Sequence, residues 1–321
     1  MTKRVAILGM GRWGLTWKGV LDAIPGVEVV GTDHLDTGDR RPDYADVIVG
    51  TDLDAVIITL PVGLHLAAIT DAVERRIPVL CEKPLVSSRA ELQDLVSLAS
   101  GTDVVVRVDQ NYRARGWVGA TRAAIRELGA VRHVRIVFAQ PEFTDGGRGE
   151  LTHPLLNDMA IHHMDLLRHL TDSEAAVLGA WAARPEPTSY SGRTDLDAVL
   201  RLSQGALVSY SGTWAARGAT TPWDGDWEII CDGGTVHVTK LQVFVERSTG
   251  VLEPCNVAPD EGLHTDLAAV WAEFASALDG DANAGVSVAD NARSLSLVLD
   301  LEDLALNNWP GSPGTGRDEQ K

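Results

Sequence analysis

The chain has 321 residues, of which 45% are hydrophobic and 23% are charged. At roughly 100–200 residues per domain this length favours two domains, and the balance excludes a disordered, fibrous or disulfide-stapled protein. The formal net charge of −17 repels nucleic-acid phosphates and anionic lipid, so neither nucleic acid nor a membrane is expected as a partner.

Strand and helix patterns alternate through the first third of the chain. The predicted strands are Val5–Leu8, Val27–Gly31, Ala55–Leu60, Pro78–Cys81 and Val104–Val108, with a further apolar run at Val47–Val49. The predicted helices are Arg12–Ile24, Leu64–Arg75 and Ser88–Ala99. This alternation predicts an α/β fold whose N-terminal part is a doubly wound parallel sheet with helices on both faces.

The pattern changes after about Gly116. The later predicted helices are Thr121–Leu128, Asn157–Leu170, Leu267–Leu278 and Ala289–Leu306. The later predicted strands are Val131–Phe138, Val177–Ala182, Ala198–Leu202, Ala206–Gly212, Trp227–Cys231, Thr235–Thr239 and Val243–Glu246. Short strands joined by turns predict an α+β domain with a large, mostly antiparallel open sheet. The expected domains are residues 1–116 and 117–309, followed by a flexible tail, 310–321.

Cysteine content and hydropathy predict the cellular location of the protein. Cys81, Cys231 and Cys255 are far apart and form no metal-ligand pattern. The apolar run Val5–Leu8 is too short for a signal peptide, and no later run approaches the ~20 apolar residues of a membrane span. We therefore expect a soluble, cytoplasmic protein.

A glycine-rich string follows the first predicted strand and opens the first predicted helix, as the dinucleotide-binding fingerprint requires. The string is Gly9-Met10-Gly11-Arg12-Trp13-Gly14. Gly9 permits the tight turn, Gly11 lets the backbone approach a pyrophosphate at the helix N-terminus, and Gly14 allows close packing of the helix on the strand. These residues therefore predict a nucleotide-binding site.

The fingerprint also needs an acid near the end of the second strand. Asp33 lies 19 residues after Gly14, and its carboxylate would bind the ribose hydroxyls and repel a 2′-phosphate. This favours NAD as the cofactor. Arg40 and Arg41 follow closely and could pair with that extra phosphate, so NADP stays possible.

Four landmarks in chain order resemble the Gfo/Idh/MocA oxidoreductases, which act mainly on sugars and cyclitols. They are the glycine string, the segment Thr59-Leu60-Pro61 to His65, Glu82-Lys83-Pro84, and Asp158-Met159-Ala160-Ile161-His162. The resemblance implies an N-terminal Rossmann domain and a second domain whose open sheet forms a homodimer or homotetramer interface.

The resemblance also implies roles for individual residues. The catalytic residues expected from it are Lys83, Asp158 and His162. The expected cofactor-binding residues are Gly9, Gly11, Arg12, Trp13, Gly14, Asp33, Thr59, Pro61, His65, Glu82 and Lys83. The expected substrate-binding residues are Lys83, Asn111, Asp158, His162 and Asp165.

The spacing of Asp158, His162, Asp165 and His169, which are 4, 3 and 4 residues apart, places them on one face of a helix. Such a face lines either a cleft or solvent, and the neighbouring motifs favour a cleft. Oxidation of a secondary alcohol removes a hydroxyl proton as hydride leaves the same carbon. His162 is the expected general base, or general acid in reduction, because imidazole titrates near neutral pH. Lys83 would stabilise negative charge on the reacting oxygen.

Other residues allow more than one interpretation. His163 points away from the face and is expected to be structural, and His169 supports the face. No third ligand has the spacing of a zinc site, so no metal is expected. Trp214, Trp223 and Trp227 are either core residues or surfaces that stack on a sugar ring. The segment Asn111-Tyr112-Arg113 either reaches cofactor or substrate or packs at a hinge.

These residues predict hydride transfer between NAD(P) and a secondary alcohol or ketone, and the resemblance implies that the substrate is a sugar, sugar derivative or cyclitol. One alternative is a hydrolase or isomerase that uses tightly held NAD without net redox change. The other is a nucleotide-sensing regulator without catalysis, which would have little reason to carry Lys83, Asp158 and His162 together.

Overall fold

A computed structural model describes residues 2–32, 44–50, 52–259 and 262–307. Asp33, Arg40 and Arg41, which bear on the choice between NAD and NADP, lie outside the described residues. So does the tail, 310–321. Within the described residues, no helix combines the length and the apolar character needed to cross a membrane.

The described strands are, in chain order, β1 (Lys3–Leu8), β2 (Val27–Thr32), β3 (Ala55–Ile58), β4 (Val79–Cys81), β5 (Val106–Val108), β6 (Val131–Ala139), β7 (Ala175–Ala183), β8 (Asp195–Leu202), β9 (Leu207–Thr213), β10 (Asp226–Cys231), β11 (Gly234–Thr239), β12 (Gln242–Glu246), β13 (Leu252–Pro254) and β14 (Val286–Ser287). The α-helices are α1 (Arg12–Asp22), α2 (Tyr44–Gly50), α3 (His65–Glu74), α4 (Arg89–Ser100), α5 (Gly116–Leu128), α6 (Ile161–Thr171), α7 (Leu263–Leu278) and α8 (Val288–Asn307).

These elements form two compact units. Unit 1 comprises residues 1–115 and 259–293, and unit 2 comprises residues 116–258 and 294–321. The first six residues of α8 therefore belong to unit 1 and the remainder to unit 2.

Unit 1 contains a six-stranded sheet in the order β14-β5-β4-β3-β1-β2. All its pairings are parallel except that of β14 with β5. The apolar part of β1 and the whole of β3 are fully buried, because helices cover both faces of a parallel sheet. This arrangement confirms the expected Rossmann fold.

The core of unit 1 includes a helix from late in the chain. From α1 the core takes Trp17, Val20 and Leu21. From α7 it takes Leu267, Val270, Trp271 and Phe274. Both sets follow the i, i+3, i+4 spacing of an amphipathic helix. The sequence placed residues 259–293 in the second domain, whereas the structure places them in unit 1, because the apolar face of α7 is buried there.

Unit 2 contains an eight-stranded sheet in the order β13-β12-β11-β10-β6-β9-β8-β7. Only β6 and β9 pair in parallel within this sheet, so the expectation of a mostly antiparallel sheet is confirmed. Burial alternates along β8 and β9, the pattern of a sheet with one covered face and one open face. Side chains of α5 and α6 lie on the covered face.

Two local details differ from simple expectation. The apolar run Val47–Val49 belongs to the helix α2 and not to a strand. The predicted helix Asn157–Leu170 is observed as a π-helical turn, Leu155–Ala160, followed by α6. The glycine-rich segment before it forms a 3₁₀ helix, Asp145–Glu150.

Candidate active site

The N-terminus of α1 is the first part of the candidate site, and it lies in unit 1. Gly9 has a φ of +102°, and a Cβ there would lie 2.6 Å from the backbone of Thr59. A Cβ on Gly14 would lie 2.1 Å from the carbonyl oxygen of Gly9. Both positions therefore need glycine, for the turn and for close packing of α1.

Gly11 faces open space, in contrast to Gly14. Among the described residues, no atom outside its chain neighbours lies within 4 Å of a Cβ built on Gly11. Gly11 caps α1 without a side-chain hydrogen bond, and the first turn carries no acidic residue. The helix N-terminus thus presents backbone N–H groups and the positive end of the helix dipole to an incoming anion. This arrangement fits the pyrophosphate of a dinucleotide.

The remaining cofactor candidates of unit 1 lie around the ends of its strands. Thr59 Oγ1 is within hydrogen-bond distance of the carbonyl oxygens of Leu8 and Gly9, so it supports the glycine turn. Arg12 and Pro61 are exposed and Trp13 is partly buried.

His65 connects two loops of unit 1. It is buried, with Nδ1 3.0 Å from the carbonyl oxygen of Pro84 and 3.2 Å from that of Leu85. Its Nε2 lies 2.8 Å from the carbonyl oxygen of Leu60. Burial lowers the pKa of His65, and the three backbone contacts partly oppose that effect. The imidazole therefore holds the loop after Lys83 against the loop after β3.

Lys83 follows β4 at the carboxyl edge of the parallel sheet, where ligands bind in open α/β folds. It is partly buried. The preceding Glu82 is buried and accepts a hydrogen bond from Trp17 Nε1 at 3.1 Å. The structure thus brings Lys83, Glu82 and His65 to one end of the sheet in unit 1.

In unit 2, Asp158 lies in the π-helical turn that leads into α6. Such turns are rare and occur frequently at functional sites. Asp158 Oδ2 accepts a hydrogen bond from Arg148 Nε at 2.6 Å. Arg148 also donates from Nη1 to the carbonyl oxygen of Asp145, and its guanidinium lies 5.1 Å from the Phe143 ring centre. An oriented carboxylate next to a held cation can bind hydroxyl groups.

Two adjacent histidines begin α6. His162 is 3% exposed. His163 is fully buried, with Nδ1 2.9 Å from the Tyr210 hydroxyl and Nε2 3.0 Å from the carbonyl oxygen of Trp223. Burial lowers the pKa of His163 to about 4. Its neutral ring donates to the carbonyl and accepts from the tyrosine, which is the structural role expected of it.

The next polar residues of α6 lie in a buried network. Asp165 is 1% exposed and accepts a hydrogen bond from Ser294 Oγ at 2.9 Å. Arg168 donates to the same Ser294 oxygen and pairs with Glu174. Asp165 therefore also contributes to the packing of α6, and its expected contact with substrate stays a prediction. His169 Nε2 lies 3.4 Å from Arg122 Nη1.

The three late tryptophans of unit 2 differ in exposure. Trp214 and Trp227 are buried, whereas Trp223 is 39% exposed. Trp223 meets Phe143 edge to face, with ring centres 6.4 Å apart. Of the three, Trp223 has the surface that stacking on a sugar ring would require.

The segment Asn111-Tyr112-Arg113 packs within unit 1. Asn111 and Tyr112 are buried. Arg113 forms an ion pair with Asp290 at 2.8 Å. These contacts show that the segment packs in unit 1, and the expected substrate contact of Asn111 stays a prediction.

Two polar residues next to the candidate site were missed by sequence reasoning. Arg148 lies in the glycine-rich segment Asp145–Glu150, to which the sequence analysis assigned no role. Asp109 follows β5 and is 1% exposed, and an acid at the carboxyl end of a parallel strand is a signal that could have revealed it. Among the described residues, no group of three or more His, Cys, Asp or Glu could hold a metal ion.

Two family models match the chain. Residues 27–110 match "Oxidoreductase family, NAD-binding Rossmann fold", and residues 120–237 match "GFO/IDH/MocA C-terminal domain". Lys83 falls within the first match, and Asp158 and His162 fall within the second.

Characterised relatives extend over much of the chain. The dTDP-3,4-didehydro-2,6-dideoxy-alpha-D-glucose 3-reductase of Saccharopolyspora spinosa is 26% identical over 318 residues, covering 91% of this chain and 92% of the relative. Inositol 2-dehydrogenase 1 of Paenarthrobacter aurescens is 27% identical over 230 residues, covering 65% and 66%.

Solved structures show the same fold. An oxidoreductase from Agrobacterium radiobacter in complex with NAD+, L-tartaric acid and magnesium superposes with a TM-score of 0.86 at 18% identity, covering 96% of this chain and 98% of that chain. An inositol dehydrogenase homologue from Azotobacter vinelandii, complexed with NADH and myo-inositol, gives 0.82 at 18% identity, covering 96% of each chain.

Proposed function

Because the chain belongs to the Gfo/Idh/MocA family of oxidoreductases, with an NAD-binding Rossmann fold, we propose that it acts on a sugar, sugar derivative or cyclitol. The reaction is hydride transfer between NAD and a secondary alcohol or ketone of that substrate. Relatives that act on a dTDP-sugar and on inositol support this substrate class. The observation that carries the proposal is that Asp158 in the π-helical turn and His162 at the start of α6 occur in a chain that also carries Lys83 after β4.

The cofactor is held by the N-terminus of α1. The N–H groups after Gly11 bind the pyrophosphate, and the bare surface of Gly11 admits it. When bound, NAD supplies the hydride acceptor or donor. Other residues proposed to contact the cofactor in unit 1 are Arg12, Trp13, Thr59 and Pro61. Asp33 selects NAD over NADP by binding the ribose hydroxyls.

The reacting alcohol is bound by Lys83 and His162. Lys83 donates a hydrogen bond to the reacting oxygen and stabilises its negative charge. His162 accepts the hydroxyl proton in oxidation and returns it in reduction. Asp158, oriented by Arg148, accepts hydrogen bonds from neighbouring substrate hydroxyls.

The open sheet of unit 2 is the proposed contact between copies of the chain. Four large apolar side chains on its strands β6, β7 and β9 are each 47–53% exposed, namely Val137, Leu178, Trp181 and Leu207. Large apolar side chains grouped on an exposed sheet face are typical of an interaction surface. We propose a homodimer or homotetramer formed through this face.

The proposed activity is tested by a screen of sugars, inositols and keto-sugars with NAD(H) and NADP(H), read at the nicotinamide absorbance. A net change in that absorbance with at least one substrate is the expected result. Product formation without net NADH would favour the hydrolase or isomerase. Nucleotide binding without any turnover across the screen would favour the regulator.

The catalytic roles are tested by Lys83→Met and His162→Asn. Each should lower kcat at least about a thousandfold, because each loses a group that acts on the reacting oxygen. NAD affinity, measured by fluorescence titration, should stay within a few-fold of the wild-type value. Lys18→Met on the exposed side of α1 is the matched control and should retain activity. Wild-type kcat in either site variant would refute its assigned role.

A further inference from the structure

Two carboxyl side chains meet inside unit 1, directly after neighbouring strands. Glu82 follows β4 and is 6% exposed, and Asp109 follows β5 and is 1% exposed. The strands pair with Cys81 opposite Val108. The backbone continues this pairing, since Asp109 N donates to the carbonyl oxygen of Cys81 at 2.8 Å. The parallel register therefore brings both acids to the sheet edge that carries Lys83.

Two N–H groups donate to the Glu82 carboxyl group. Trp17 Nε1 donates to Oε1 at 3.1 Å, and the backbone N–H of Lys83 lies 3.3 Å from Oε2. The side chain of Asp109 is also hydrogen-bonded to Glu82. Ionised carboxylates only accept hydrogen bonds, so a bond between two carboxyl groups requires a proton. The bond between Glu82 and Asp109 therefore requires at least one proton on the pair, while the N–H groups of Trp17 and Lys83 that donate to Glu82 favour its ionised form.

The surroundings place that proton on Asp109. Its Oδ1 atom is buried with no hydrogen-bond partner among the described residues, an arrangement that penalises a carboxylate more than a neutral acid. Burial raises the pKa of Asp109 well above its usual range, and the charge of Glu82 raises it further. The backbone N–H of Asn111 and the Lys83 charge act in the opposite direction.

Two further titratable groups face the pair. The ammonium of Lys83 interacts favourably with both carboxyl groups. The buried thiol of Cys81 has a raised pKa, first through burial and then through the charges of Glu82 and Asp109, so it stays a neutral thiol. The single negative charge of the pair therefore attracts the positive charge of Lys83.

We propose that Asp109 and Glu82 form one proton-sharing pair whose single negative charge and hydrogen bond to the Lys83 backbone position Lys83 for the reaction. This inference rests on the catalytic role of Lys83 in the proposed function. Asp109 is then a positioning residue, since it keeps Glu82 in place while its own proton prevents a second charge.

Two isosteric variants separate charge from shape. In Asp109→Asn the amide still donates to Glu82, so the charge and the hydrogen bond both remain. In Glu82→Gln/Asp109→Asn both groups are neutral while the volume is kept. We expect the double variant to lower kcat at least tenfold and to move the alkaline limb of the pH profile to lower pH. The single variant Asp109→Asn should keep kcat within about threefold of the wild-type value.

NAD affinity and thermal unfolding are measured for both variants, and Asp103→Asn, an exposed acid paired with Arg76, is the control. A double variant with the wild-type kcat and pH profile would overturn the proposal. So would a single variant that loses as much activity as the double variant.

A spectroscopic test needs no activity. The infrared spectrum of the wild-type protein at neutral pH should contain the carbonyl band of a buried protonated carboxylic acid, and Asp109→Asn should remove it. Absence of this band from the wild type would overturn the proton assignment even if a variant failed to fold. If Lys83→Met retains full activity, the catalytic role of Lys83 fails, whereas the infrared result still decides whether the pair holds a proton.

Discussion

At the residue scale, two glycines of the glycine-rich string, Gly11 and Gly14, are required for different physical reasons. A Cβ on Gly14 would lie 2.1 Å from the carbonyl oxygen of Gly9, whereas one on Gly11 would have no atom within 4 Å from the described residues beyond its chain neighbours. The first position is constrained by packing inside the protein. The position of Gly11 is constrained by the pyrophosphate that we propose to bind there. Substitution to alanine should therefore separate stability from nucleotide affinity.

We expect Gly14→Ala to lower the free energy of unfolding by about 3 kcal/mol, because backbone atoms must move to admit the methyl group. Gly11→Ala should change it by less than about 0.5 kcal/mol, yet raise the Kd for NAD about tenfold or more by filling the pyrophosphate position. Denaturant unfolding and fluorescence titration measure the two effects. Equal NAD affinity in Gly11→Ala and the wild type would contradict the assignment.

Buried His163 makes stability depend on pH. Its pKa falls from the ordinary 6.5 to about 4 on burial, so between these values the unfolded chain binds a proton that the folded chain does not. The free energy of unfolding should therefore decrease as the pH falls from about 6.5 to about 4. The contribution of His163 is about 3 kcal/mol.

Denaturant unfolding across this pH range measures the slope, and His163→Gln should reduce it because glutamine does not titrate. His264→Gln, at an exposed position of α7, is the control and should keep the wild-type slope. An unchanged slope in His163→Gln would show that other groups cause the acid dependence.

At the element scale, the loop that carries Lys83 ends in a capped helix. Ser88 caps α4, with its hydroxyl accepting from the backbone N–H of Glu91, and the Glu91 carboxylate accepts in return from the backbone N–H groups of Ser88 and, at 3.2 Å, of Ser87. This is a capping box, and its S-x-x-E spacing is visible in the sequence. The cap therefore holds the end of the loop at Ser88, whereas His65 contacts the carbonyl oxygens of Pro84 and Leu85 nearer its start.

Ser88→Ala should lower the free energy of unfolding by about 1 kcal/mol, since an N-terminal N–H loses its acceptor. Ser100→Ala, at the other end of α4, is the matched control. Its hydroxyl donates only to the carbonyl oxygen of Val96, so its loss should cost less than about 0.5 kcal/mol. Similar losses for the two serines would argue against a capping contribution.

The π-helical turn is an element that periodicity did not reveal. Residues Leu155–Ala160 and α6 form one continuous pattern in the sequence, and only the hydrogen-bonding of the backbone distinguishes them. The i, i+4 spacing of Asp158 and His162 was correctly assigned to a helix. The pairing of Asp158 with Arg148 was not foreseen, because nothing local in the sequence links a glycine-rich segment to that carboxylate.

At the scale of the whole molecule, the exposed sheet face of unit 2 predicts self-association. Trp181 is 53% exposed, and Leu178 and Leu207 are similarly exposed. Trp181→Glu should shift the protein toward monomer, because a charge in an apolar interface must be desolvated. Sedimentation velocity measures the shift. Val49→Glu in unit 1, at another exposed apolar position, should leave the association unchanged, and a monomeric wild-type protein would refute the interface.

Much of the fold and part of the site could be predicted from short-range patterns. Turn glycines, strand–helix alternation and amphipathic spacing are local signals, and they located β1, α1 and the helix of Asp158 and His162. The assignment of α7 to unit 1 could not be predicted in this way. The apolar face of α7 indicates that this face is buried, but it does not indicate which elements cover it. The burial of Asp165 has the same origin, since Ser294 lies 129 residues away.

The amino-acid sequence by itself determined the α/β class, the nucleotide-binding turn at Gly9–Gly14 and the family motifs that contain Lys83, Asp158 and His162. The tertiary structure alone decided that Arg148 binds Asp158, that Asp109 meets Glu82 and that His65 holds the loop of Lys83. The physical reason is range: backbone preferences and apolar periodicity act over a few residues, whereas hydrogen bonds between buried side chains depend on which distant elements pack together.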